Sequence, residues 1–172
     1  ADLEIQGMGL GIGDLNDDEL PELLVADTNH LRLLMSVSDR TWVESSAAAG
    51  LHVDMESGQH AAWSTHFEDL DNDGLLDAAA VFGPIASDID GEERLEQPDG
   101  LWLGQTGGGF SSVAPEWGLA DTSWGRSLAL VDLDRDGFLD WLINPRLGPA
   151  KAWTSRCGEN DWLLLRLRQE AP

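Results

Sequence analysis

Asp-Leu-Asp-Asn-Asp-Gly-Leu-Leu-Asp, residues 69–77, is the stretch of sequence that decides the fold. Two more stretches align with it without gaps: residues 14–22 read Asp-Leu-Asn-Asp-Asp-Glu-Leu-Pro-Glu, and residues 132–140 read Asp-Leu-Asp-Arg-Asp-Gly-Phe-Leu-Asp. All three carry oxygen-bearing side chains at positions 1, 3, 5 and 9. We call them the first, second and third acidic turns in chain order. An internal repeat of this kind constrains the architecture before any single residue does.

The segments around the turns predict strands. Each turn is followed by a short apolar run typical of a buried strand, and each is preceded by a stretch of strand length. The preceding stretches are residues 7–13, 62–68 and 125–131, and the apolar runs are residues 23–26, 78–82 and 141–143. Third strands are predicted at residues 31–37 and 101–104, and fourth strands at residues 42–45 and 110–113.

This pattern predicts an all-β protein of four-stranded antiparallel sheets. The turns repeat at 55 and 63 residues, a spacing that suits β-propeller blades better than a smaller solenoid unit. The chain holds two complete units and the opening of a third, so we expect it to be part of a larger propeller or assembly. Residues 83–100 contain six acidic residues and two prolines, and they predict an exposed loop within the middle unit.

The acidic turns predict calcium sites, up to three in number. Calcium takes six to eight oxygen ligands, and side chains at positions 1, 3 and 5 of such a loop converge on one point. Glycine at position 6 permits the sharp bend, position 7 offers its carbonyl, and position 9 closes the ligand set. The predicted ligands are Asp14, Asn16, Asp18, Leu20 and Glu22 in the first turn, Asp69, Asp71, Asp73, Leu75 and Asp77 in the second, and Asp132, Asp134, Asp136, Phe138 and Asp140 in the third.

Two other interpretations of the turns are weaker. A helix-loop-helix calcium hand needs a glutamate at position 12, where this chain has Val25, Ala80 and Ile143. Asp, Asn and Gly also cluster in turns that bind no metal, but three copies with one ligand spacing make that explanation less favoured. The first turn departs most from the pattern, because Asn16 replaces a carboxylate and Glu19 stands where the bend favours glycine.

Composition limits the classes of function. The chain has 172 residues, 42% of them hydrophobic, and 32 acidic against 10 basic side chains give a formal charge of −22. This charge would repel nucleic acids and anionic lipid, so we expect no nucleic-acid partner. No apolar run is long enough to cross a bilayer, which predicts no membrane insertion. The chain starts at Ala1 rather than methionine, so we expect that an upstream segment was removed.

No catalytic group of residues is evident. The four histidines show no ligand spacing, and Ser64 and Ser127 lie outside any Gly-x-Ser-x-Gly motif. The glycine-rich residues 7–13 lack a phosphate-loop ending and predict a closely packed inner strand. Cys157 is the only cysteine, so it pairs outside these residues or stays a free thiol.

The turns, their flanking strands and the matched segments ending at Leu51 and Leu119 resemble the FG-GAP or VCBS repeats of integrin alpha-like propellers. That resemblance implies one blade per repeat, with calcium in the turn between the first two strands. Residues 157–172, beginning Cys-Gly-Glu-Asn-Asp-Trp, resemble the start of an ASPIC/UnbV module, as found in proteins similar to cartilage acidic protein. The implied division is propeller repeats at residues 1–156 and an ASPIC/UnbV-like segment at residues 157–172.

The resemblance implies a secreted, non-enzymatic, calcium-binding protein that serves extracellular interaction or adhesion, with calcium in a structural role. The expected partners are a protein or a glycan, together with other blades in the same polypeptide or in neighbouring chains. The expected location is extracellular, periplasmic or at the cell surface. Two alternatives remain open, namely an accessory subunit of a larger complex and the propeller scaffold of a polysaccharide-acting enzyme.

Overall fold

A computed structural model describes residues 4–28, 30–51, 53, 60–85, 97–156, 160–165 and 168. Every regular element among these residues is a β-strand, and the strands form three antiparallel sheets. The first sheet holds β1 Gly9–Gly13, β2 Glu22–Asp27, β3 His30–Ser38 and β4 Thr41–Glu44. The second holds β5 His60–Glu68, β6 Asp77–Pro84, β7 Gly100–Gln105 and β8 Gly109–Ser112, and the third holds β9 Gly125–Val131, β10 Asp140–Pro145 and β11 Lys151–Trp153.

The all-β prediction is confirmed, and the sheets are consistent with propeller blades. Strands follow one another in chain order across the first two sheets, as in an antiparallel meander. Each acidic turn joins the first two strands of its sheet, as the sequence predicts. The third sheet also has a third strand, β11, which the sequence analysis did not predict. It pairs with β10 through Trp141 opposite Trp153.

The middle sheet is buried on both faces. Every residue of β6 is buried, and neighbouring residues along a strand point to opposite faces. Ala78, Ala80 and Phe82 join a core shared with the first sheet, whereas Ala79 and Val81 join a core shared with the third. The three sheets therefore stack face to face, with the second between the other two.

Glycines let the first sheet approach the second closely. A Cβ on Gly9 would lie 2.9 Å from Ser64 Cα, and one on Gly11 would lie 3.1 Å from Thr65 Oγ1. The predicted close packing of this inner strand is therefore confirmed. Leu10 and Ile12 alternate with these glycines and are 55% and 60% exposed on the opposite face.

The prediction of an exposed loop at residues 83–100 is wrong at both ends, and its middle, residues 86–96, lies outside the described residues. Gly83 and Pro84 are buried in β6, and Gln97 and Asp99 are buried just before β7. These ends belong to the sheet or pack against it. The acidic composition of the whole segment gave no indication of their burial. Cys157 lies outside the described residues. No helix in the described ranges has the length and apolar character needed to span a bilayer.

Candidate metal centre

The three acidic turns share a left-handed backbone at positions 4 and 6. Position 4 takes the left-handed region in each turn, with φ of 57° at Asp17, 60° at Asn72 and 66° at Arg135. Position 6 does the same, with φ of 68° at Glu19, 89° at Gly74 and 93° at Gly137. Glycine adopts this region without steric cost. Of the three turns, only the first has a residue with a side chain at position 6. The sequence predicted the bend at position 6 but not the one at position 4.

The carboxylate at position 1 holds each loop together. In the second turn, Asp69 accepts hydrogen bonds from the backbone N–H groups of Asp73 and Gly74, both at 3.0 Å. Asp14 accepts equivalent bonds within its own turn. Asp132 accepts instead from the N–H groups of Arg135 and Gly137, at positions 4 and 6 of the third turn. Position 5 accepts from the N–H of position 7, at 2.8 Å in the first and second turns and 3.0 Å in the third. The loops are thus closed around their acidic side chains.

The side chain at position 9 ties its turn to the third strand in the first and second sheets, and to the segment just after the third strand in the third sheet. One oxygen of Asp77 accepts from the N–H of Leu70 at 2.7 Å, and the other accepts from the N–H of Gly104 in β7 at 2.8 Å. The equivalent bonds join Glu22 to Leu15 and Ser36, and Asp140 to Leu133 and Ser155. All three acidic side chains are buried, at 1% exposure or less. The sequence pattern predicted position 9 as a metal ligand but did not predict that it links the turn to another segment.

Carboxylate oxygens converge in the second and third turns. Asp69, Asp71 and Asp77 each offer an oxygen within 4.8 Å of the others, and so do Asp132, Asp134 and Asp136. Two oxygens bound to one calcium ion at its usual distance lie at most about 5 Å apart. Each group therefore fits within the coordination shell of a single cation.

Electrostatics of the second turn also suit a cation. Burial first, and the charges of Asp71 and Asp69 to a smaller extent, raise the pKa of Asp77 to about 7 against the opposing effect of the two backbone N–H donors. Burial also raises the pKa of Asp71, with additional contributions from Asp73 and Asp69. Carboxylates that repel one another in this way are stabilised by a bound positive charge.

The first turn is built differently at its centre. Asn16 Nδ2 donates a hydrogen bond to Asp18 Oδ2 at 3.0 Å, which satisfies one oxygen that a cation would otherwise contact. Within the described ranges, the converging carboxylate groups are those of the second and third turns. The oxygens of Asn16 and Glu22 and the carbonyls of Leu20, Leu75 and Phe138 stay predicted ligands.

The second and third turns also contact each other. Asn72 Nδ2 donates to the carbonyl of Gly137 at 3.1 Å. Asn160, which follows both turns in the chain, donates through Nδ2 to the carbonyl of Asp71 at 2.9 Å. The sequence offered no signal for these contacts, because they join residues 65 and 89 positions apart.

A histidine near the second turn makes a hydrogen bond between two sheets. His66 Nε2 lies 2.9 Å from the carbonyl of Leu128, which joins the second sheet to the third. Arg126 of β9 lies 4.0 Å above the ring of Trp63 at the same junction.

These sheets and turns define a class, namely all-β blades whose first two strands are joined by acidic loops. The sequence model of the FG-GAP-like repeat matches residues 14–80. This span begins at the first position of the first turn, includes the second turn and ends inside β6. Residues 14–80 therefore carry an FG-GAP-like repeat. A comparison with curated proteins finds no match. The resemblance of residues 157–172 to an ASPIC/UnbV module stays a prediction.

Proposed function

We propose that this chain is a calcium-binding, non-enzymatic propeller segment whose ions are structural. The observation that carries the proposal is the convergence of three carboxylates in both the second and the third turn, on loops that share a left-handed backbone at positions 4 and 6. A cation at each centre would neutralise side chains that otherwise repel one another. Calcium suits such sites better than magnesium, because loops rich in protein oxygens favour a large and flexible coordination shell.

Ion counting tests this proposal. Titration calorimetry with calcium is expected to give two tight sites and a weaker third. Asp69→Ala and Asp132→Ala are each expected to remove one tight site, and Asp14→Ala the weak one. Asp39→Ala is the matched control, because Asp39 lies in a hairpin turn and is largely exposed. A protein that binds no calcium, or variants that all keep the wild-type number of ions, would contradict the proposal.

We propose an extracellular, periplasmic or cell-surface location, and a protein or glycan as the ligand of this segment. Millimolar calcium outside the cytoplasm would fill all three sites, the weaker first site included, which supports the location. Binding of a set of extracellular proteins and glycans is expected to be stronger in calcium than in chelator. Equal or absent binding in both conditions would contradict an interaction role.

We also propose that the outer sheets contact further blades, in the same polypeptide or in neighbouring chains. Leu10 and Ile12 leave an exposed apolar strip on the first sheet. An apolar groove of about 320 Å³ opens on the third sheet, lined by residues that include Ala129, Leu142 and Ala152. Self-association measured by sedimentation is expected to rise with concentration and to weaken in Ile12→Glu. A monomer at every concentration would contradict contact with blades of neighbouring chains.

A further inference from the structure

A short segment near the C-terminus contacts the second and the third acidic turn. Asn160 Nδ2 bonds to the backbone carbonyl of Asp71, at position 3 of the second turn. The indole of Trp162 lies against Gly137, at position 6 of the third turn, so closely that a Cβ there would stand 2.1 Å from Trp162 Cγ. Residues 160–162 therefore contact both turns at once.

The two turns are also joined directly. Asn72 occupies position 4 of the second turn, and its side-chain amide donates to the carbonyl of Gly137 in the third. We call Asn72, Asn160 and Trp162 the bridge. Each of its contacts reaches a residue that lies within a ligand loop rather than in a neighbouring strand.

A bridge of this kind couples the two loops energetically. An ion that fixes one loop also fixes the bridge atoms held by that loop. The other loop then has less conformational freedom to lose when it binds its own ion, and this favours the second binding event. Coupling of binding energies is reciprocal, so either ion would strengthen the other by the same factor.

We propose that the second and third turns bind their calcium ions with positive cooperativity, transmitted by Asn72, Asn160 and Trp162. This inference rests on the proposed function, because it needs both turns to hold ions. Asn72, Asn160 and Trp162 are positioning residues here: they act on the ligand loops through backbone carbonyls and packing.

A thermodynamic cycle measures this coupling by calorimetry. All proteins carry Asp14→Ala, so that only the second and third sites are titrated. Asp69→Ala and Asp132→Ala in this background give the separate affinities of the third and the second site. The protein with both sites intact gives the overall constant for two ions. We expect that constant to exceed the product of the separate affinities about fivefold or more.

Removal of the bridge is expected to abolish the excess while both ions still bind. Asn72→Gly suits this purpose, because glycine adopts the φ of 60° found there, and Asn160→Ala with Trp162→Ala removes the contacts of the segment. Asp17→Gly is the matched control, since it changes position 4 of the first turn, and the coupling is expected to stay intact. Circular dichroism verifies folding of each variant.

The outcomes separate the two hypotheses. Two ions that bind independently in the bridged protein overturn the cooperativity and leave the proposed function standing. Coupling that survives loss of the bridge overturns its assignment to these three residues. A protein that binds no ions overturns the proposed function itself, and the inference with it.

Discussion

At the scale of single residues, the acidic turns show what a sequence pattern can and cannot specify. Oxygen spacing and Gly74 predicted the loop and its bend, because both depend on residue type at fixed positions. The left-handed backbone at Asn72 was not predictable, since many residue types occupy position 4. The burial of Asp77 was not predictable either, because it depends on contact with Gly104, in a strand 27 residues further along the chain.

Glu19 gives the clearest residue-scale prediction. It holds a φ of 68° at position 6 of the first turn, where the other turns have glycine. Glu19→Gly is expected to stabilise the protein by about 0.5–1 kcal/mol, because glycine relieves the strain of a left-handed backbone. Chemical denaturation in chelator measures this change without any contribution from ions.

Glu19→Ala is the control for that experiment, since alanine removes the acidic group but keeps the Cβ. A gain that is equal in both variants would show that charge, rather than backbone strain, limits the first turn.

At the scale of strands and turns, much of the fold was predictable from sequence. Apolar runs after each turn located β2, β6 and β10, because a strand buried on a sheet needs them. The three-residue strand β11 was missed, since residues 151–153 carry no periodic pattern and depend on pairing with β10. Contacts between turns also lay beyond prediction, because they arise from the stacking of whole sheets.

Asp77 supplies the prediction at this scale. Its two oxygens hold the second turn and β7 through the N–H groups of Leu70 and Gly104. Asp77→Ala leaves both buried donors without partners, at a cost of about 2–4 kcal/mol. Unfolding measured in chelator is expected to show this loss, because the bonds do not require an ion.

Asp69→Ala is the comparison, since the bonds of Asp69 to the described residues stay within its own loop. It is expected to cost less than Asp77→Ala in chelator. Equal costs for the two variants would contradict the assignment of a separate structural tie to position 9.

At the scale of the whole molecule, stability depends on the junctions between stacked sheets. Asp99 lies at the junction of the second and third sheets, where Oδ1 accepts from the N–H of Phe82 at 3.0 Å and Oδ2 has no hydrogen-bond partner among the described residues. Burial first, and the charge of Asp121 to a smaller extent, raise the pKa of Asp99 to about 8, although the N–H of Phe82 and the charge of Lys151 oppose the shift.

This raised pKa makes stability depend on pH. Unfolded Asp99 releases its proton near its ordinary pKa of about 4, whereas the folded protein keeps that proton until about pH 8. The folded state binds more protons in this window, so this group lowers stability progressively as pH rises from about 4 to 8. Asp99→Asn removes the effect, because an amide does not ionise and still accepts from Phe82.

The variant is therefore expected to gain stability over wild type by on the order of 2–5 kcal/mol at pH 8 and by much less at pH 4. Denaturant unfolding across this range measures the difference. A gap between the two proteins that is constant with pH would contradict the raised pKa of Asp99.

Thermal unfolding of the wild-type protein, with calcium and with chelator, tests most directly whether cations hold the acidic turns. Each site adds about 2.7 kcal/mol when free calcium is 100 times its dissociation constant, because only the folded state forms the site. Two filled sites are expected to raise the midpoint by roughly 10 °C or more. A midpoint that is the same in calcium and in chelator would contradict the account.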